Sequence, residues 1–222
     1  MSNIKLLVAG AAGRMGRAVI REALSTPGVT LAGGFERKGA PLLGRDLGPL
    51  AGLDSLGVVV EEGPQTSIRR ADALVDFTAP AASVENARLA AEHGVPHIIG
   101  TTGFSAEDEA EIAALARRAV IVKSGNMSLG VNLLAELVRE AAARLGPDYD
   151  IEIVEAHHRA KVDAPSGTAL MLGRAAADGR GVDLSANSVR ARDGAVGARP
   201  AGAIGAPSSV RKAGSPAPAA PP

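Results

Sequence analysis

The sequence predicts an α/β protein in which a domain built on a parallel sheet is followed by a smaller α+β domain. Short apolar runs alternate with amphipathic helical stretches through the first half of the chain, and a glycine-rich turn joins the first run to the first helix. Composition supports a packed core. Of 222 residues, 46% are hydrophobic and 22% charged; aromatics are limited to Phe35, Phe77, Phe104 and Tyr149, so the core is expected from Ala, Val, Leu and Ile.

The elements follow in order. Residues 4–9 read as a strand, followed by glycines and a helix with Met15, Val19 and Ala23 on one face, stopped at Pro27-Gly28. Further strands are expected at 29–35, 58–60, 73–77, 97–99 and 120–122, with helices at 82–92 and 106–118. Their apolar runs are continuous, as strands covered by helices on both faces require. A helical pattern over 128–145 takes the chain out of the first domain, and a strand over 150–155 delivers the run His157 to Thr168 ahead of an alanine-rich helix. The expected domains are 1–127 and 128–205. From Ala206 onward the chain is rich in proline and alanine, with Val210 its only large apolar residue, so 206–222 reads as a disordered tail.

Several function classes are disfavoured. Lysine plus arginine equals aspartate plus glutamate at 24 each, so no global basic field exists to collect nucleic acid or hold an anionic membrane. Scarce aromatics argue against stacking platforms for single strands. Without cysteine there are neither disulfides nor thiolate metal sites, and no metal is expected. The N-terminal apolar run contains Lys5 and meets Gly10 at once, which fits neither a signal peptide nor a membrane span; a cytoplasmic protein is expected.

Gly10, Gly13 and Gly16 form G-x-x-G-x-x-G between the first strand and helix, where backbone amides and a helix N-terminus can meet a pyrophosphate. The spacing departs from the commoner G-x-G-x-x-G, and a tight turn remains the plain alternative. Glu36 follows Gly16 by about 20 residues, where a carboxylate can accept from ribose hydroxyls. Otherwise it is a solvated glutamate. Arg37 could pair with a 2′-phosphate, so either NADH or NADPH is permitted. No Gly-Lys-Ser/Thr follows these glycines, which disfavours a P-loop, and Tyr149 has Ile153 rather than lysine four residues on, which removes a tyrosine-based short-chain reductase. Gly100-Thr101-Thr102-Gly103 and Ser124-Gly125-Asn126-Met127 follow strands at their C-terminal ends, where they could wall the nicotinamide half or serve only as turns.

His157, His158 and Lys161 precede a Pro165-Ser166-Gly167-Thr168 turn that opens a helix. Taken singly they read as a strand end, a solvated lysine and a helix cap. Together they gather proton donors with the amides and hydroxyl of Gly167 and Thr168, a set suited to protonating and gripping an acidic substrate. His93 and His97 stand apart and are expected to be structural.

The segments Val8 to Gly16, Asp76-Phe77-Thr78, Gly100 to Gly103 and His157 to Thr168, in this order, resemble the 4-hydroxy-tetrahydrodipicolinate reductase family over about residues 3 to 205. The resemblance implies a Rossmann-type first domain and NADH- or NADPH-dependent reduction of a dicarboxylate ring in lysine and diaminopimelate biosynthesis. It places the cofactor at Gly10, Ala11, Ala12, Gly13, Arg14, Met15, Glu36, Arg37, Gly100, Thr101, Thr102, Ser124, Gly125, Asn126 and Met127. It places the substrate at His158, Gly167 and Thr168, with His157 as catalytic acid/base and Lys161 as proton donor. Homotetramers are expected for the full-length family, and by the same resemblance the tail after Gly205 suggests a truncated or frameshifted C-terminus that leaves the α+β substrate domain incomplete. A catalytically impaired, nucleotide-binding remnant is the alternative.

Overall fold

A computed structural model describes residues 3–157, 165–189, 204–205 and 210–211, and these fall into two units, 1–124 and 125–222. In the first unit, β1 (Ile4–Ala9), β2 (Val29–Glu36), β3 (Val60–Glu62), β4 (Ala73–Asp76), β5 (His97–Ile99) and β6 (Ile121–Lys123) lie in the order β3-β2-β1-β4-β5-β6, every pair parallel. The order reverses between β1 and β4, the Rossmann-type arrangement whose ligands sit beyond the carboxyl ends of the strands. Helices α1 (Arg14–Ser25), α2 (Leu47–Leu50), α3 (Pro80–His93) and α4 (Ala106–Leu115) connect them. Both faces of β1 are buried: Leu7 and Ala9 join a cluster with Ile68 and Leu74, while Val8 joins Ile20, Leu47 and Val60. Continuous apolar runs serve a sheet covered on both sides.

Local chemistry sets the helix ends. Pro80 occupies the first turn of α3 and Gly94 closes it at φ 68°, while Ser105 and Asp108 form a reciprocal capping box on α4. Three details differ from expectation. The buried stripe of α1 is Gly16, Ile20 and Ala23, and Met15 is exposed. The third strand begins at Val60 rather than Val58 and runs into Glu61 and Glu62, which an edge strand tolerates. Residues 150–155 do not form one strand.

In the second unit, α5 (Leu129–Leu145) packs on α6 (Gly167–Arg180). The helices approach closely because a side chain on Gly179 would stand 2.2 Å from the Arg139 carbonyl. Ala142, Ala176, Ala177 and Ile204 form the buried cluster. The unit also contains β7 (Ile151–Glu152), β8 (Ala156–His157), α7 (Leu184–Asn187), β9 (Ser188–Val189), β10 (Ile204–Gly205) and β11 (Val210–Arg211). They pair in the orders β7-β10-β9 and β11-β8, all parallel. Thus β11 falls within 206–222; the rest of that expected tail lies outside the described residues.

Candidate functional site

The glycine turn follows β1 directly. Gly10 has φ +62°, a conformation natural to glycine, and its carbonyl accepts from Gly13 N at 2.9 Å. Gly16 is required by space, since a Cβ there would stand 2.2 Å from the Gly10 carbonyl oxygen and 2.7 Å from Ala11 Cα. Ala11 is buried, Ala12 is half-buried, and Gly13, Arg14 and Met15 are exposed around the start of α1. That helix has no side-chain cap and no acidic residue in its first turn. Its leading amides and dipole therefore favour an anion.

Glu36 Oε1 accepts from Ala12 N at 3.0 Å, which ties the end of β2 to the glycine turn. Gly10, Gly13, Glu36, exposed Arg37 and Lys38, and Thr78 line a cleft of about 750 Å³. The pocket thus lies across the point at which strand order reverses.

Sheet register aligns the carboxyl ends of β1, β4 and β5, pairing Ala9 with Asp76 and Asp76 with Ile99. Gly100 then passes under the Phe77 ring so closely that a Cβ would lie 1.9 Å from Phe77 Cε1. Thr101 is buried and Thr102 exposed; Ser124 N donates to Ile99 O at 3.1 Å, bringing the end of β6 to the same edge. Asp76 and His97 are both fully buried, with His97 Nε2 3.3 Å from Asp76 Oδ2. His97 therefore does not stand apart.

Burial alone would raise the Asp76 pKa, but hydrogen bonds from His97, Asn86 and Thr78 outweigh it and lower the value from 3.8 to about 2. A carboxyl whose folded pKa is depressed stabilises the fold above its unfolded pKa and loses that contribution as pH falls through the folded value. Acid is thus expected to remove on the order of 2 kcal/mol through this group between about pH 4 and pH 2. A carbon-detected NMR titration of Asp76 checks it; a midpoint above 3.8 would reverse the sign.

In the second unit, Asn126 Nδ2 donates to Thr168 Oγ1 at 3.0 Å, so the loop expected at the nicotinamide meets the helix start expected at the substrate. Asn126 Oδ1 also accepts from Ser128 N at 2.9 Å, while Gly125, Met127 and Gly167 are exposed. Half-buried His157 has Nε2 2.9 Å from Glu155 Oε2, and Glu155 Oε1 accepts from Ser166 N at 2.9 Å. Ser166 Oγ then caps α6 by accepting from Ala169 N at 3.1 Å. One carboxylate so joins His157 to the beginning of that helix. Burial opposes ionisation of Glu155, but its bonds to Ser166 and His157 hold its pKa below the ordinary value. His158 and Lys161 lie outside the described residues. Among the described residues no cluster of His, Cys, Asp and Glu could hold a metal, and no helix is long and apolar enough to cross a membrane.

Sequence reasoning overlooked Glu155, Ser83, Asn86 and the tie between Asp76 and His97. Glu155 was findable: alternation on an extended segment sets residues two apart on the same face, so Glu-Ala-His allows the first carboxylate to meet the imidazole.

The strand order, glycine turn and Glu36 define a Rossmann-type nucleotide-binding class. The family described as dihydrodipicolinate reductase, N-terminus, matches residues 4–127, and its C-terminal counterpart matches 130–218, past residue 205. The chain is 60% identical over 205 residues to a 4-hydroxy-tetrahydrodipicolinate reductase of Parvibaculum lavamentivorans, covering 92% of this chain and 76% of that one. The corresponding protein of Methylocella silvestris is 56% identical over 205 residues, with 92% and 75% covered. A solved dipicolinate-bound dihydrodipicolinate reductase from Paenisporosarcina sp. TG-14 aligns with TM-score 0.68 and 26% identity over 94% of this chain and 78% of that one. This chain belongs to the dihydrodipicolinate reductase family.

Proposed function

We propose that this protein reduces 4-hydroxy-tetrahydrodipicolinate to tetrahydrodipicolinate. The observation that carries the reading is family likeness across both units, including the half that bears the His157 to Thr168 run. When bound, NADH or NADPH supplies the hydride that ends on carbon 4 of the ring as water departs. The residues present fit such a cofactor: the uncapped start of α1 suits the pyrophosphate, and the cleft beside Glu36 has room for the adenosine half. Glu36 would accept from ribose hydroxyls, and Arg37 would pair with a 2′-phosphate where one is present.

In the second unit, the amides at the start of α6 and the Thr168 hydroxyl would hold a substrate carboxylate, and His157 with Lys161 would manage the proton. Glu155 keeps His157 in place for that task.

The test follows NADH and NADPH absorbance with freshly made 4-hydroxy-tetrahydrodipicolinate, beside calorimetric titration of each cofactor. Substrate-dependent oxidation is expected. Cofactor binding without oxidation would instead identify a nucleotide-binding protein unable to reduce this substrate, and absence of binding would remove the reading altogether.

A further inference from the structure

Asp76 carries a buried charge for which packing offers no reason, since an apolar side chain would fill the same space without desolvating a carboxylate. Each of its partners donates. Thr78 N lies at 2.9 Å, Thr78 Oγ1 at 2.6 Å, Asn86 Nδ2 at 2.9 Å and Thr101 Oγ1 at 3.5 Å. With its hydrogen on Nε2, His97 donates as well, leaving Nδ1 without a protein partner among the described residues. Ser83 Oγ donates to Thr101 Oγ1 at 2.7 Å and stands 3.3 Å from Thr78 Oγ1. The Thr78 and Thr101 hydroxyls therefore point their hydrogens towards one carboxylate while Ser83 donates to Thr101 behind them, a polarised arrangement that holds each member in a single orientation.

These bonds reach two loops and one helix. Thr78 belongs to the turn between β4 and α3 and lines the cleft; Thr101 belongs to the loop after β5. Asn86 and Ser83 anchor the same carboxylate network to α3. No side-chain hydrogen bond joins the glycine turn or Glu36 to this network among the described contacts, although Gly10 lies against Thr78, where an added Cβ would stand 2.9 Å from Thr78 Cγ2.

We infer that Asp76 is a positioning residue for the nicotinamide half of the cofactor: through Thr78 and Thr101 it fixes the turn after β4 and the loop after β5 without itself touching the reacting atoms. The inference rests on the reductase reading given above. It explains why a charge is kept at the reversal of strand order, where the loops on either side must hold one geometry for hydride transfer. The adenosine half is held chiefly by the glycine turn and Glu36; Thr78 also borders that cleft, so this half depends on Asp76 less than the nicotinamide half does.

That separation supplies the test. Calorimetry on the full chain compares NADH with ADP-ribose, which lacks the nicotinamide, for wild type, Asp76→Asn and Ser83→Ala, with kcat and KM measured in parallel. Asp76→Asn places an amide donor against existing donors and is expected to weaken NADH by about tenfold or more. Ser83→Ala, a smaller change, is expected to weaken NADH about threefold to tenfold, as for one lost hydrogen bond. ADP-ribose loses clearly less affinity than NADH in both variants, and kcat falls along with NADH affinity.

Parallel weakening of both ligands, or no change in either, overturns the inference. If Asp76→Asn does not fold, Ser83→Ala decides by the same comparison. Wild type that binds NADH yet fails to turn over substrate refutes the reductase reading and leaves the binding comparison in force. Wild type that binds neither NADH nor NADPH overturns both; where it binds NADPH alone, the same comparison is made between NADPH and 2′-phospho-ADP-ribose.

Discussion

Replacing Gly16 with alanine is expected to weaken NAD(P)H binding by about tenfold or more and to destabilise the first unit by about 1–3 kcal/mol. The added methyl would meet the Gly10 carbonyl oxygen at 2.2 Å and Ala11 Cα and C at 2.7 and 2.9 Å. These are backbone atoms, so no side-chain rotation relieves the clash. Either α1 retreats from the turn or the turn itself deforms, and both move amides proposed to face the pyrophosphate. Calorimetry and urea denaturation measure the two effects. Gly130→Ala is the control: Gly130 lies in α5 with Ser128 Oγ at 3.9 Å as the nearest atom, so alanine is expected to leave stability unchanged or raise it by up to about 1 kcal/mol. Wild-type affinity in Gly16→Ala would show that the turn relaxes freely and would take it out of the functional argument.

The same glycine explains which parts of the fold were legible. Periodicity in α1 permits either Met15, Val19 and Ala23 or Gly16, Ile20 and Ala23 to face inward, and hydrophobicity favours the first. The turn selects the second because only Gly16 allows the helix to approach Ala11. Strand and helix alternation was readable because each element carries its own apolar pattern. The edge strand β3 was misplaced at Val58 because its pairing with β2, Gly34 to Val60 and Glu36 to Glu62, is a tertiary fact. Likewise, residues 150–155 have strand propensity, but β7 pairs with β10 while β8 pairs with β11, so no common neighbour sustains a single strand.

The candidate site divides along similar lines. Gly10, Gly13, Gly16 and Glu36 were visible because a strand, turn and helix place them at characteristic intervals. Asp76 meets His97 and Thr101 only because parallel register brings the ends of β4 and β5 together, and it meets Asn86 through α3, the helix that follows β4. No local spacing announces such a cluster. His157 was visible through its unusual neighbours, whereas its orientation came from the structure.

His157→Ala is expected to lower kcat by about 10²–10⁴ while the NAD(P)H dissociation constant stays within about twofold, the signature of lost proton transfer. Its side chain is 33% exposed, enough to reach a ligand, and its partner Glu155 is only 11% exposed. Glu155 Oε2 meets the imidazole while Oε1 receives Ser166 N, so the imidazole is referenced to the helix start that would hold the substrate carboxylate. Glu155→Gln removes the charge and turns one acceptor into a donor while preserving size; kcat is therefore expected to fall about tenfold, less than on deletion of the imidazole itself. Lys161→Ala should resemble His157→Ala if the two share the proton. Steady-state kinetics with calorimetric cofactor titration separates these outcomes. Cofactor affinity falling in step with kcat would mean that His157 supports the fold rather than the chemistry, and an undiminished kcat would remove the imidazole from proton transfer.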